Sequence, residues 1–127
     1  KGGSGKVKYE VSPVAITQFL RSKITASDGA ASIVERVNAM PAQGAATVFS
    51  LGDSFGCARA VIACFGLPYR DVTPQVWKKH FGLSTDKEQS RALASKLFPE
   101  AELHLKKFHD RAEALLMARY LWEKEYA

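Results

Sequence analysis

The run Ile33-Val34-Glu35-Arg36-Val37 constrains the fold more than any other stretch of this sequence. Ile33, Val34 and Val37 are apolar and β-branched, which suits a strand packed in an interior. Glu35 sets a carboxylate among them, and Met40-Pro41 then ends the run. A buried carboxylate is costly unless a cation or hydrogen bonds offset it. Arg36 cannot do so directly, because adjacent strand residues face opposite sides. The partner must come from elsewhere in the chain, as one of its lysines, or from a bound divalent cation.

The surrounding segments alternate between strand and helix patterns. Lys6–Val11 alternates polar and apolar residues and reads as a short half-buried strand. Ser12-Pro13 supplies a cap and a first helical residue for a helix to about Arg21. "ITASDGA" is turn chemistry, and the strand around Glu35 follows it. After a loop over 40–44, "AATVFSLGDSFGCARAVIACFG" is apolar over some five turns. That pattern predicts a helix buried on more than one side, with Gly52 and Gly56 allowing close backbone packing. "LPYRDVT" reads as a strand, and Thr73-Pro74 opens a helix over "PQVWKKHFG". Thr85 and Glu88 form a capping box ahead of a helix that stops before Pro99, and a last helix begins near Asp110. This order implies an α/β layered fold with a central, largely buried sheet.

At 127 residues and 46% apolar, the chain is expected to form one domain with a real core. No stretch is expected to supply the roughly 20 apolar residues that cross a bilayer, and "KGGSGKVKYE" has no apolar signal region. Cys57 and Cys64, seven apart on one helix, are too distant to bridge and read as buried thiols of a reducing, intracellular compartment. The net charge of +5 favours a polyanionic partner only modestly. From Lys78 to Arg111 eight basic residues face five acids, which a solvated helical face explains as readily as a nucleic-acid contact. There is no His/Cys set for structural zinc, no phosphate-binding P-loop and no nucleophile elbow.

A second acidic cluster lies in "FHDRAEALLMARY". Asp110 and Glu113 have the form of a capping box, with acids favoured at a helix start. His109 and Glu113 are also i, i+4 neighbours and Asp110 and Glu113 i, i+3 neighbours, so all three are able to point one way. Carboxylate oxygens with little histidine suit Mg²⁺ or Mn²⁺, often together with substrate phosphates.

Five segments in order complete the pattern: the Glu35 strand followed by "NAMPAQG", then "FSLGDSFG", "VTPQVWKKHFGL", "DKEQSRALASKLFP" and "HDRAEALLMARY". Together they resemble the RuvC-like Holliday-junction resolvases, the phage, bacterial and organellar branch of the RNase H-like superfamily. The resemblance runs from Ile33 to Tyr120, about two thirds of the chain. It implies a single RNase H-like domain over 1–127, a three-layer fold with a central mixed sheet flanked by helices. The family's first motif, a strand with G-I-D-P-G and a first catalytic Asp, has no counterpart here, so the domain reads as amino-terminally incomplete. Glu10 is the acid offered in that Asp's place.

The resemblance further implies a nuclease that resolves four-way DNA junctions as a homodimer, with no organic cofactor and no membrane partner. Glu35, Asp110 and Glu113 match the family's catalytic carboxylates, and His109 stands where some members place a histidine ligand. These four would hold two Mg²⁺ ions, with Mn²⁺ as a substitute. Lys87, Ser90 and Arg91 match the family's K-x-x-S-R segment near the DNA backbone. Charge alone adds Lys78, Lys79, Lys106 and Lys107 as phosphate contacts. Phe49 and Met40 are the candidates for a side chain that opens the junction, and the helix after Gly44 is a candidate dimer surface. The alternatives are an inactive junction- or DNA-binding module and an RNase H-like nuclease acting on other branched DNA or on RNA.

Overall fold

The computed structural model describes residues 11–24 and 29–127. They divide into two compact units: one takes in the chain up to Ala31 with Val37–Tyr69, the other Ser32–Arg36 with Arg70–Ala127. The strand expected over Lys6–Val11 lies, except for Val11, outside the described residues, as do Glu10 and the middle of "ITASDGA".

In the first unit, helix α1 (Pro13–Lys23) begins as its sequence requires. The Ser12 side chain accepts a hydrogen bond from the Ala15 N–H at 3.1 Å, and Pro13 opens the first turn. In the loop after residue 39 the Gln43 side chain accepts from the Met40 N–H at 2.9 Å. Helix α2 (Ala45–Cys64) follows and packs against α1.

Burial of α2 departs from expectation. Of its residues only Ile62 is buried, Cys64 is exposed, and a Cβ added at Gly52 or Gly56 would meet nothing within 4 Å. The two glycines therefore admit no close backbone neighbour among the described residues, and the reading of both cysteines as buried is corrected. With 20 residues and a mean hydropathy of 1.2, α2 is also long and apolar enough to cross a membrane by those two measures, contrary to the sequence expectation. Its apolar residues are spread around the helix rather than gathered on one face, so one partner helix cannot bury them all.

The second unit holds β1 (Ser32–Glu35) and, from Arg70 on, β2 (Tyr69–Val72), which pair in parallel as a two-stranded sheet. The Arg36 N–H extends the pairing to the Val72 carbonyl at 2.7 Å. Three helices supply the rest: α3 (Pro74–His80), α4 (Lys87–Leu97) and α5 (His109–Leu121). A 3₁₀ turn over Lys106–Phe108 leads into α5, and a π-helical turn over Trp122–Tyr126 follows it. The core is Val72, Trp77, Ala94, Leu103, Ala112 and Leu116, with Ile33, Leu93, Leu97 and Leu115 packed around it.

The expected three-layer RNase H-like fold is therefore corrected. Helix accounts for 62% of the described residues, and the two strands make a small sheet rather than a central layer. A sheet covered on both faces needs near-continuous apolar strands. β2 instead reads Tyr-Arg-Asp-Val, with Arg70 and Asp71 exposed, and β1 ends on a carboxylate. Helix-on-helix packing of α4 against α5 buries the apolar surface instead.

Two caps also differ. Thr73 makes no side-chain cap bond to α3. At α4 the cap is Asp86, whose Oδ1 accepts from the Glu88 N–H at 2.9 Å, while the Glu88 side chain turns to Arg91. The cap thus lies one residue after Thr85, and the expected capping box with Glu88 does not form. Asp86→Ala is expected to cost about 1 kcal/mol and Thr85→Ala less than about 0.5 kcal/mol, measured as shifts in the urea midpoint.

Candidate functional site

Glu35 finds its partner on α3. Trp77 is fully buried, one of the core residues, and its indole Nε1–H donates to Glu35 Oε2 at 2.9 Å. An indole N–H taken out of water requires an acceptor, and the carboxylate at the end of β1 supplies it. The next residue, Lys78, reaches the other acidic stretch: its Nζ lies 3.4 Å from Glu113 Oε2 on α5. The two side chains are 17% and 14% exposed, so water screens this pair little. The approach is a charge contact rather than an aligned hydrogen bond, and buried Glu113 Oε2 accepts no hydrogen bond. The ammonium also lies 5.4 Å from the centre of the Trp77 ring. Consecutive residues of one short helix thus engage both carboxylates.

The other two acidic-site candidates stand apart from this pair in their surroundings. His109 Nδ1 is 2.9 Å from Asp110 Oδ1 without hydrogen-bond alignment, and Asp110 is 85% exposed. The caps explain the split. Phe108, not Asp110, occupies the N-cap of α5, so Asp110 falls in the first helical turn and makes no capping bond. Asp110 therefore faces water while Glu113, three residues on, is largely buried, against the expectation that they share one face.

Hard oxygen ligands suit Mg²⁺, but Glu35 Oε2 already accepts from Trp77 and Glu113 Oε2 already faces the Lys78 ammonium. Among the described residues no three His, Cys, Asp or Glu side chains gather to hold an ion. The set Glu35, His109, Asp110 and Glu113 is a carboxylate pair engaged by α3 plus two residues at the start of α5.

The cationic candidates separate just as clearly. Lys78 and Lys79 line a groove of about 470 Å³ with Pro74, Gln75, Gly82, Leu83, Ser84 and Thr85, and no acid lines it. Gly82, at φ +67°, makes the turn that closes this groove, a conformation that side-chain-bearing residues rarely adopt. Lys87 is exposed at the first turn of α4, and Lys106 and Lys107 are exposed ahead of α5. Ser90 is fully buried, a position from which it touches no outside ligand. Arg91 donates through Nε and Nη2 to Glu88, both at 2.9 Å, and through Nη1 to the Leu103 carbonyl at 2.7 Å. Its guanidinium is held above its ordinary pKa by Glu88, whose carboxyl is in turn held low. The K-x-x-S-R segment thus ties α4 to the chain around Leu103. In the first unit, Phe49 and Met40 are both exposed.

The sequence reading missed Trp77 as a partner for Glu35. Its one signal was a tryptophan on an amphipathic helix, whose N–H must end somewhere. It also missed a cluster on the α3–α5 side of the unit. Glu123 accepts from Arg119 Nε and pairs with His80 Nε2 at 2.8 Å, and the His80 ring meets Tyr120 and Phe81 edge-on.

No protein-family model matches the chain, and no curated protein matches it.

Arg119 first, and His80 after it, hold the Glu123 carboxyl below its ordinary value of 4.5. A depressed carboxylate stabilises the native state above the ordinary value and stops doing so as the pH falls through the native one. Wild type is therefore expected to exceed Glu123→Gln in melting temperature at neutral pH, with the gap closing as the pH falls below 4.5. Thermal melts of both proteins across that range measure it.

Proposed function

We propose that the chain is a metal-dependent, structure-selective endonuclease that resolves four-way DNA junctions. It hydrolyses phosphodiester bonds to leave 5′-phosphate and 3′-hydroxyl ends. One observation carries this reading: Glu35 and Glu113, far apart in sequence, are engaged by consecutive α3 residues within one compact unit. The five ordered motifs that resemble the RuvC-like resolvases support it from the sequence side.

Each group has a place in this reading. Glu35 and Glu113 are the inner carboxylates, Asp110 and His109 stand at the start of α5, and these four are the residues that the resemblance implies would hold Mg²⁺ or Mn²⁺. Two such ions would supply activation of the attacking water and stabilisation of the leaving 3′ oxygen. Lys79, Lys87, Lys106 and Lys107 are exposed and take backbone phosphates, which positions the strand without reading its sequence. Arg91 and Ser90 shape α4 rather than touch DNA. A homodimer would match the pseudo-twofold symmetry of a four-way junction, and the exposed apolar helix α2 is the surface offered to it.

The test sets an immobile four-way junction beside a matched duplex, each with protein and Mn²⁺. Paired nicks on the junction alone are expected, and Glu35→Gln should lower their rate by about 100-fold or more while leaving junction binding intact. Junction binding without nicks by wild type would replace this reading with a non-catalytic junction-binding module. Equal action on junction and duplex would overturn both. In the binding assay, Lys79→Ala should weaken affinity alike for all sequences and reduce the salt slope by about 1.

A further inference from the structure

The arginines of the second unit are of two kinds. Arg36, Arg70, Arg91 and Arg119 each pair with a carboxylate, those of Asp71, Glu125, Glu88 and Glu123 in turn. Arg111, in the first turn of α5, instead lies over an aromatic ring. Its guanidinium is 4.5 Å from the centre of Phe108, and its Nη1 donates to the backbone carbonyl of Glu102 at 3.4 Å. The Lys107 ammonium is 5.3 Å from the centre of the same ring, and the His104 ring meets it edge-on at 5.9 Å. Among the described residues neither Lys107 nor Arg111 forms an ion pair with a carboxylate.

An aromatic face attracts a cation through its quadrupole and leaves its charge uncancelled, whereas a carboxylate cancels it. Phe108 packs against the core, so the ring is a fixed support for two exposed cations. The acid in this stretch, Asp110, lies against His109. We propose that Lys107, Phe108 and Arg111 form a phosphate-binding patch for a nucleic-acid backbone, the ring holding the two cations beside the start of α5. This deepens the junction-nuclease reading and rests on its choice of a nucleic acid as partner, not on cleavage. Two cations on one ring suit the oxygens of one phosphate. The charge also continues past them: Lys106 is exposed in the same turn, and that turn packs against α4, whose first residue is the exposed Lys87. A stripe of this kind fits a polymer with a charge at every nucleotide better than a single anion.

The test is a binding titration in EDTA, where neither metal nor cleavage enters. A labelled four-way junction and its matched duplex are titrated, at several salt concentrations, with wild type, Lys107→Gln, Arg111→Gln and Lys124→Gln. Lys107 and Arg111 are exposed, so neither substitution opens the core. Each should weaken binding about eightfold in about 0.1 M salt and lower the salt slope by about 1, the weight of one phosphate contact. Lys124 lies beyond the far end of α5. Its substitution makes the same change in net charge and should alter affinity by less than about twofold, because salt screens a distant charge. Arg111→Lys keeps the charge and should restore the salt slope. Phe108→Leu keeps every charge but removes the support, and should weaken binding about threefold.

Equal losses in Lys107→Gln, Arg111→Gln and Lys124→Gln would make the effect one of net charge and overturn the patch. So would wild-type affinity in both patch variants, or no DNA binding by wild type. Phosphatidylserine vesicles serve as a second probe: binding to them that both patch variants lose, with DNA affinity unchanged, would overturn the proposal in favour of a lipid surface. The nuclease reading fails separately. The predicted losses in a protein that never nicks a junction keep the patch and remove the catalysis. Junction nicking with DNA affinity unchanged in both patch variants keeps the nuclease and removes the patch.

Discussion

The second unit depends on one interaction, the burial of Trp77 with its indole N–H on Glu35. A tryptophan side chain buries more apolar surface than any other, and it does so at full benefit only when its single polar atom has a partner. Here that partner stands at the end of β1, while the ring lies among Val72, Ala94, Leu103, Ala112 and Leu116. The bond therefore fixes the register of α3 against β1. Removing the ring would open a cavity in the centre of this core, and removing the acceptor would strand a donor within it.

From that anchor the placement of the remaining charges follows. With Trp77 turned inward, Lys78 is directed to α5, where Glu113 is nearly covered. Arg91 secures the other end of the unit by joining Glu88 to the Leu103 carbonyl, and Arg119, His80 and Glu123 gather where α5 ends. Each of these contacts uses a charged group that sequence alone offers equally well to solvent or to a phosphate. Among the candidate phosphate contacts, Lys79, Lys87, Lys106 and Lys107 are the exposed ones. A basic balance in composition thus overstates the charge available to a polyanion.

The layered sheet expected from alternating strands and helices did not form because the strands are too short and too polar to be a central layer. Four residues of β2 include Arg36's partner Asp71 and Glu125's partner Arg70, both side chains turned to ion pairs rather than to a core. The helices were better signalled, since Ser12-Pro13, Thr73-Pro74 and Pro99 punctuate the chain where helices begin and end. Even so, the capping atom at α4 moved from Thr85 to Asp86, since two adjacent residues with cap chemistry compete for the same N–H groups. Helix α2 shows the opposite limit. Its apolar content was legible, but whether apolar residues are covered depends on what packs there, and hydropathy does not encode that.

The sequence by itself determined where helices start and stop, that Glu35 lies on a strand segment in need of a partner, and that acids cluster at the start of the last helix. These follow from local rules, backbone propensity and capping, that act within a few residues. Only the tertiary structure decided that Trp77 is the partner of Glu35, that Lys78 meets Glu113, that Asp110 faces water and that Ser90 and Arg91 serve the scaffold. Those outcomes join residues tens of positions apart. They turn on which side of each helix is buried, a choice made by the packing of the whole unit rather than by any one segment.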